Sequence, residues 1–338
     1  MAGLASLGSL SAVAGAAILS FLLTGLATWY AGRRGLLDHP GERHSHTEIT
    51  PRGGGAGLVL AMLIVSLSLV ETGTDDFWVR CIAPGILVLA ATGWWDDHAS
   101  LSARFRFSVQ LVVTCWLLWC ALGVGWLQGI VSLTFCGLFV IWMTNMYNFM
   151  DGSNGMAGLQ GVFAASVLAG LFQHSGDVPY AMYSMILAAC CLGFLPWNLG
   201  RAKVFMGDVG SLALGFVFAA LLLYGYGSGA FSLPVAGLVM LLFLTDSTMT
   251  LLFRVIRGER WYNAHRQHLY QRLIASGWAH GQVAVLYQAI NITLVLPGIL
   301  LAVYLPDLAW PVALALTLFF LLGWYLLIRR YKVSTLAG

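Results

Sequence analysis

Charge is what this sequence has least of. Asp, Glu, Lys and Arg make up 9% of its 338 residues, where a soluble domain carries roughly 25%. With 59% hydrophobic residues and a mean hydropathy of +0.82, there is too little polar surface to cover a fold in water. The chain therefore reads as an integral membrane protein. The apolar-polar alternation of a transmembrane barrel is also missing, because the apolar runs are continuous and long enough for helices. All six cysteines (Cys81, Cys115, Cys120, Cys136, Cys190 and Cys191) lie in apolar segments. None has ligand spacing with histidine, so they read as inert packing thiols rather than disulfides or a zinc site. His39, His44 and His46 lack the cysteine partners and ordered spacing of a zinc site. No basic residue precedes the apolar stretch near Leu10–Ala31 and no cleavage site precedes Arg33, so this stretch reads as a retained first helix. Gly53-Gly54-Gly55 follows no strand and is not a dinucleotide fingerprint. Repeats, low-complexity tracts and an extramembrane domain are absent, so residues 1–338 read as one membrane domain. No nucleic-acid partner is expected.

What is present is a series of apolar runs. A bilayer core needs about 20 apolar residues per helix, and roughly eleven candidate spans follow: 10–31, 54–71, 81–95, 107–124, 129–148, 155–173, 179–197, 209–227, 231–253, 283–305 and 309–328. Their small residues suit close helix packing in lipid. Of the 17 basic residues, Arg80 alone falls on one side. The positive-inside rule makes the crowded side cytoplasmic, with the N-terminus outside and the C-terminus inside. The expected fold is an all-α polytopic bundle in a membrane.

Five polar stretches alternate with the spans, all on the cytoplasmic side: Asp38–Gly55, Trp95–Arg106, Asn145–Gly155, Asn198–Ser211 and Arg254–Gln282. Asp96-Asp97 ends the third span. Adjacent carboxylates at a membrane boundary are costly unless paired. They are either a solvated helix end or a carboxylate site for a hard cation or a proton. Arg104 and Arg106 follow, as membrane anchors or as phosphate ligands. Asn145 and Asn148 share a helix face, and Asp151 begins a Gly-rich turn. These residues make an ordinary C-cap and turn, or oxygen ligands for Mg²⁺. In Phe205-Met-Gly-Asp208-Val-Gly-Ser211, Asp208 either caps the next helix or belongs to an anion site at its N-terminus. Phe205 is either buried packing or a stacking face. Asp246 lies deep in the ninth span, where a lone carboxylate is functional or paired. Asn263 to Arg272 forms a basic, histidine-containing loop that would bind either anionic lipid or a diphosphate.

At these residues the chain resembles the polyprenyl-phosphate N-acetylhexosamine-1-phosphate transferases. Asp96-Asp97, Asn145-x-x-Asn148-x-x-Asp151-Gly152, Phe205-Met-Gly-Asp208-x-Gly-Ser211 and Asp246 before the basic loop match in order. The stretches Asp38–His46 and Thr50–Gly55 are similar to the branch that initiates O-antigen-like surface glycans. The resemblance implies transfer of a sugar 1-phosphate from a UDP-N-acetylamino sugar to undecaprenyl phosphate, with release of UMP. It implies Mg²⁺, for which Mn²⁺ can substitute, held by Asp208 and Asn148. It implies catalytic roles for Asp96, Asp97, Asp151 and His268, stacking of uracil on Phe205, and substrate contacts from Arg104, Arg106, Arg266 and Asn145. A homodimer in the lipid bilayer is expected with it. Two departures stand out. The usual His-x-His-His run reads His268-Leu269-Tyr270-Gln271, and the second acid of Asp-Gly-x-Asp-Gly is Asn154. His280, outside the motif, is expected as a surface group. The rival class is a transporter or flippase of a lipid-linked sugar. Against it, the charges cluster at one face, with no polar path to the other.

Overall fold

The computed structural model describes residues 2–38, 49–70, 77–126, 129–260 and 265–331. Arg43, the three histidines at 39, 44 and 46, Asn263 and Lys332 lie outside the described residues, as does most of the glycan-branch motif. The helices, in order, are α1 (Ala2–Arg34), α2 (Gly55–Ser68), α3 (Ala83–Ala99), α4 (Ala103–Gly123), α5 (Gly129–Met150), α6 (Met156–Ser175), α7 (Val178–Asn198) and α8 (Asp208–Gly227). They continue with α9 (Leu233–Val239), α10 (Leu241–Ile256), α11 (Leu269–Ala275), α12 (His280–Ile290), α13 (Leu296–Tyr304) and α14 (Ala309–Arg330). Among the described residues nine helices are long and apolar enough to cross a membrane, or ten if the bent pair α9–α10 is one crossing. The chain is a multi-pass, all-α membrane protein.

The centre of the bundle is α8. Its stretch from Val209 to Leu223 is buried throughout, with α3 and α5 packed along it. By contrast α1 and α14 expose Ile18, Leu22, Leu318 and Leu322, as helices facing hydrocarbon do. Three details differ from the sequence expectation. First, α2 is only 14 residues long, shorter than a full crossing. Second, the apolar run 231–253 is not one helix. Met240 leaves helical geometry at φ −116°, ψ 19°, and α9 meets α10 at 78°. Third, Cys81 and Cys120 form a disulfide, correcting the reading of all six cysteines as free thiols. The hairpin of α3 and α4 brings its open ends together and leaves the two Cα atoms 6.1 Å apart, within the ordinary range for such a bond.

A two-stranded antiparallel ribbon, β1 (Leu37–Asp38) and β2 (Thr50–Pro51), lies beside the α8 entrance. It continues into backbone bonds with the loop before α8. Phe205 N–H donates to Pro51 O at 2.8 Å, Gly54 N–H to Phe205 O at 2.9 Å and Gly55 N–H to Met206 O at 2.9 Å. The glycine triplet thus serves as a backbone cradle for the segment that carries Phe205 and Asp208.

Candidate active site

Asp96 and Asp97 end α3 and have different neighbours. Asp97 is 4% exposed and reaches the first turn of α8. Its Oδ1 accepts from Asp208 N and its Oδ2 from Val209 N, each at 3.3 Å. It therefore satisfies the open N–H groups of another helix, with its negative charge at the positive end of the helix dipole. Gly207 precedes that helix at φ 75°. A Cβ there would stand 2.5 Å from Asp97 Oδ2, so only glycine permits both the turn and the approach. Arg52 donates to the Asp97 carbonyl. Asp96 has another task. Its Oδ1 accepts from Leu101 N at 2.5 Å, fixing the turn where Ser100 takes a left-handed φ of 47°. Its Oδ2 accepts from Arg106 Nη1 at 2.5 Å.

Asp208 does not cap α8. Its Oδ2 accepts from the same Arg106 Nη1 at 3.0 Å, and its Oδ1 from Asn148 Nδ2 at 2.9 Å. Asn148 Nδ2 also donates to Ser211 Oγ at 2.8 Å, so α5 and α8 meet through two polar bonds. Asn148 and Asp208 border a cavity of about 250 Å³ that Arg52, Asp97, Asp151, Phe205, Tyr270 and Gln271 also line. Asp151 is half-buried, and no described residue donates to its carboxylate. Burial, with Asp208 and Asp97 facing it, pushes its carboxyl well above the ordinary value. An acid held this way takes either a proton or a cation.

Other candidates lie around this cavity. Asn145, one turn before Asn148, exchanges bonds with Gln110 of α4 at 2.7 and 3.3 Å and so braces α4 against α5. Arg104 is exposed on the first turn of α4. His268 is 3% exposed, with its Nδ1 3.9 Å from Asp246 Oδ1 and its ring against Phe149 and His265. Burial, partly offset by Asp246, lowers its affinity for a proton, while burial and the neighbouring His268 push His265 down to about 3. Arg266, two residues earlier, is half-buried, and burial lowers its guanidinium below the ordinary value. Asp246 proves to be the hub of this loop. It accepts from Leu269 N at 2.7 Å, Tyr270 N at 3.3 Å, Tyr287 Oη at 2.8 Å, Trp324 Nε1 at 3.2 Å and Thr250 Oγ1 at 3.2 Å.

Two residues escaped the sequence reading and a third was misplaced by it. Arg52, taken there as one basic residue among many, lines the cavity. Asn198 accepts from Gly155 N at 2.8 Å and donates to Val204 O at 3.0 Å, joining the Asp151 turn to the segment before α8. Its place at the end of an apolar span was the available signal. His280 is not a surface group. It is half-buried and lies 3.0 Å from Ser153 Oγ, because α12 starts beside the Asp151 turn.

The comparisons with known proteins agree with this geometry. Residues 79–226, from the start of α3 through nearly all of α8, match the model of glycosyl transferase family 4. The chain is 32% identical over 314 residues to decaprenyl-phosphate N-acetylglucosaminephosphotransferase of Mycobacterium leprae, covering 80% of this chain and 78% of the relative. The chain belongs to the polyprenyl-phosphate N-acetylhexosamine-1-phosphate transferase family. It is also 27% identical to undecaprenyl-phosphate alpha-N-acetylglucosaminyl 1-phosphate transferase of Salmonella typhi, over 91% of this chain and 88% of the relative. Against phospho-N-acetylmuramoyl-pentapeptide-transferase of a Synechococcus strain the identity is 34%, over 63% of this chain and 67% of the relative. The family's matched segment carries Asp96, Asp97, Asn148, Asp151 and Asp208 together, whereas Asp246 and the His268 loop lie beyond it.

Proposed function

We propose that this protein transfers an N-acetylamino-sugar 1-phosphate from a UDP-sugar to undecaprenyl phosphate, releasing UMP, at the cytoplasmic face of a bacterial inner membrane. The sugar is GlcNAc or a 6-deoxy sugar such as FucNAc or QuiNAc, and the product starts a lipid-linked, O-antigen-like surface glycan. The observation that carries the reading is the donor set of the cavity at the end of α8. Asp97, Asp151 and Asp208 border one cavity with Asn148, and Asp151 has no protein donor among the described residues. The Asn148 side chain bonds Asp208 and Ser211 through its nitrogen, so its amide oxygen is the atom that would meet a cation. Hard oxygens of this kind suit Mg²⁺, which binds through one or two carboxylates plus substrate phosphates. That preference also fits the absence, among the described residues, of a cluster of three His, Cys, Asp or Glu able to enclose a metal alone.

Asp208 and Asn148 would hold Mg²⁺ or Mn²⁺, with Asp151 beside them. When bound, the ion supplies charge neutralisation for the donor diphosphate and the departing UMP. The remaining work falls to the chain. An oxygen of the lipid phosphate attacks the sugar-bearing phosphorus, and the bond from that phosphorus to the bridging oxygen of UMP breaks. The lipid phosphate is already anionic near neutral pH, so alignment matters more than a strong base. Asp96 and Asp97 orient the acceptor side, Phe205 stacks on uracil, and Arg104, Arg106, Arg266, Asn145 and His268 hold substrate oxygens. The lipid half of the reading is supported by an apolar cavity of about 650 Å³ bordered by α5, α8, α9, α10 and α14. Two copies of the chain assembling in the bilayer is the quaternary expectation.

The test is release of UMP by purified protein from a UDP-N-acetylamino sugar. It should require undecaprenyl phosphate and yield a lipid-linked sugar diphosphate. Movement of a lipid-linked sugar across vesicles without UMP release would replace the transferase with the transport reading.

A further inference from the structure

The first turn of α11 departs from its family at Tyr270-Gln271, where the resemblance expects two histidines. Tyr270 is fully buried. Its backbone N–H donates to Asp246 Oδ2 at 3.3 Å, and its hydroxyl donates to Phe149 O at 3.0 Å. Phe149 stands two residues before Asp151, at the end of α5. The Gly152 N–H and the Gln271 side chain also bond to the phenol oxygen. A Cβ built on Gly152 would stand 2.2 Å from that oxygen, 3.3 Å from the ring carbon bearing it and 3.5 Å from Gln271 Nε2. The phenol therefore occupies the space a side chain at 152 would need. Asp151, Gly152, Tyr270 and Gln271 all border the cavity. A histidine at 270 would be shorter and would bring no hydroxyl to the Phe149 carbonyl.

We propose that Tyr270 is a positioning residue, which pins the end of α5 and the Asp151-Gly152 turn against the donor pocket through a phenol-glycine contact. The contact makes Gly152 and Tyr270 a matched pair. The proposal rests on the transferase reading for its turnover and donor-affinity readouts. Its steric part can be measured without any reaction.

The experiment is a double-mutant cycle on the purified full chain, with Gly152→Ala, Tyr270→Phe and the two combined. Melting temperature, the dissociation constant for the UDP-sugar without acceptor, and kcat and KM with acceptor are measured for each. Tyr270→Phe loses one hydrogen bond and should lower kcat about 5-fold. Gly152→Ala displaces the turn and should lower kcat about 100-fold, as a shift near 1 Å does. It should also weaken UDP-sugar binding by about 5-fold or more. In the double variant the oxygen is gone and the nearest ring atom lies 3.3 Å from the new methyl. Turnover and donor affinity should then both recover about 10-fold over Gly152→Ala alone, a non-additivity expected only of groups in contact. Additive losses would refute the contact. Recovery of melting temperature without recovery of donor affinity would make the contact architectural and refute the positioning role. Unfolded protein lowers the amount of active enzyme but leaves KM and the dissociation constant unmoved, so misfolding does not mimic the expected result. Wild-type protein that binds UDP-sugar yet transfers nothing would sink the proposed function and leave the pairing measurable. Wild-type protein that does not bind the donor would overturn both.

Discussion

Replacing Asp246 tests whether one buried carboxylate holds the loop that borders the site. The side chain is 2% exposed and accepts from five donors. Two of these, the hydroxyls of Thr250 and Tyr287, can rotate towards other acceptors. The N–H groups of Leu269, Tyr270 and the Trp324 indole cannot. Asp246→Ala strands those three, and a buried donor without a partner costs about 1–3 kcal/mol. Their sum is an upper bound, because neighbours and water relax, and about 4 kcal/mol is a reasonable expectation. Asp246→Asn keeps one oxygen. If that oxygen serves Leu269, Thr250 and Trp324, the new amide faces Tyr287, whose hydroxyl can turn to accept, and Tyr270 N–H, which cannot. One stranded donor and the loss of charge assistance should then cost about 2 kcal/mol. The readout is hydrogen exchange at the Leu269 and Tyr270 amides. At 1.36 kcal/mol per tenfold, exchange should rise about 30-fold in the Asn variant and several hundred-fold or more in the Ala variant, while α8 stays protected. Unchanged exchange at these amides in a folded Asp246→Ala protein would show that α11 is held by something else.

Asp208→Asn should leave melting temperature near wild type, because Asp97 rather than Asp208 caps α8, yet lower kcat by about 10²–10³-fold, as loss of transition-state charge stabilisation does. Near-normal turnover would remove Asp208 from the chemistry. Activity should vanish in EDTA and return with Mg²⁺ or Mn²⁺, and full turnover in chelated buffer would sink the cation role of Asp208 and Asn148. His268 and His265 are held below their ordinary pKa by burial, so below about pH 6.5 the unfolded chain binds more protons than the folded one. Stability should therefore fall as pH drops from 7.5 to 5.5, and a His265→Gln/His268→Gln variant should show a shallower fall. Equal slopes for the two proteins would refute that linkage.

The helical architecture was legible because charge cannot rest in hydrocarbon, so the polar stretches marked where helices end. The convergence of Asp97, Asn148, Asp151 and Asp208 followed from motif order. Less could be read of what each residue does. The two acids of Asp96-Asp97 look equivalent in sequence, but one serves Arg106 and the Ser100 turn while the other serves a helix 111 residues away. Asp246 gave no hint of its partners, because Tyr287 and Trp324 lie 41 and 78 residues on. The break at Met240 falls in an apolar run with no proline at the bend. Its backbone departs from the helix where Gln160 of α6 places its Nε2 3.6 Å from Met240 Sδ, a contact that no local pattern announces.

The Cys81–Cys120 bond ties the turn leading into α3 to α4, at the end of the hairpin farthest from Asp96 and Arg106. Clipped at one end and joined by the Ser100–Ser102 turn at the other, the two helices form a closed frame. They cannot spread like open tongs, so a rearrangement that separates Arg106 from Asp96 must come from side-chain rotation or from movement of the whole frame against α8. The same closure bears on any labelling study of sidedness. A cysteine-free background would open the frame while it mapped the loops, so Cys81 and Cys120 should stay in place when probes are set at Arg80 and Lys203. Under the expected topology those two positions would label from opposite faces of a membrane crossed by an intact clamp.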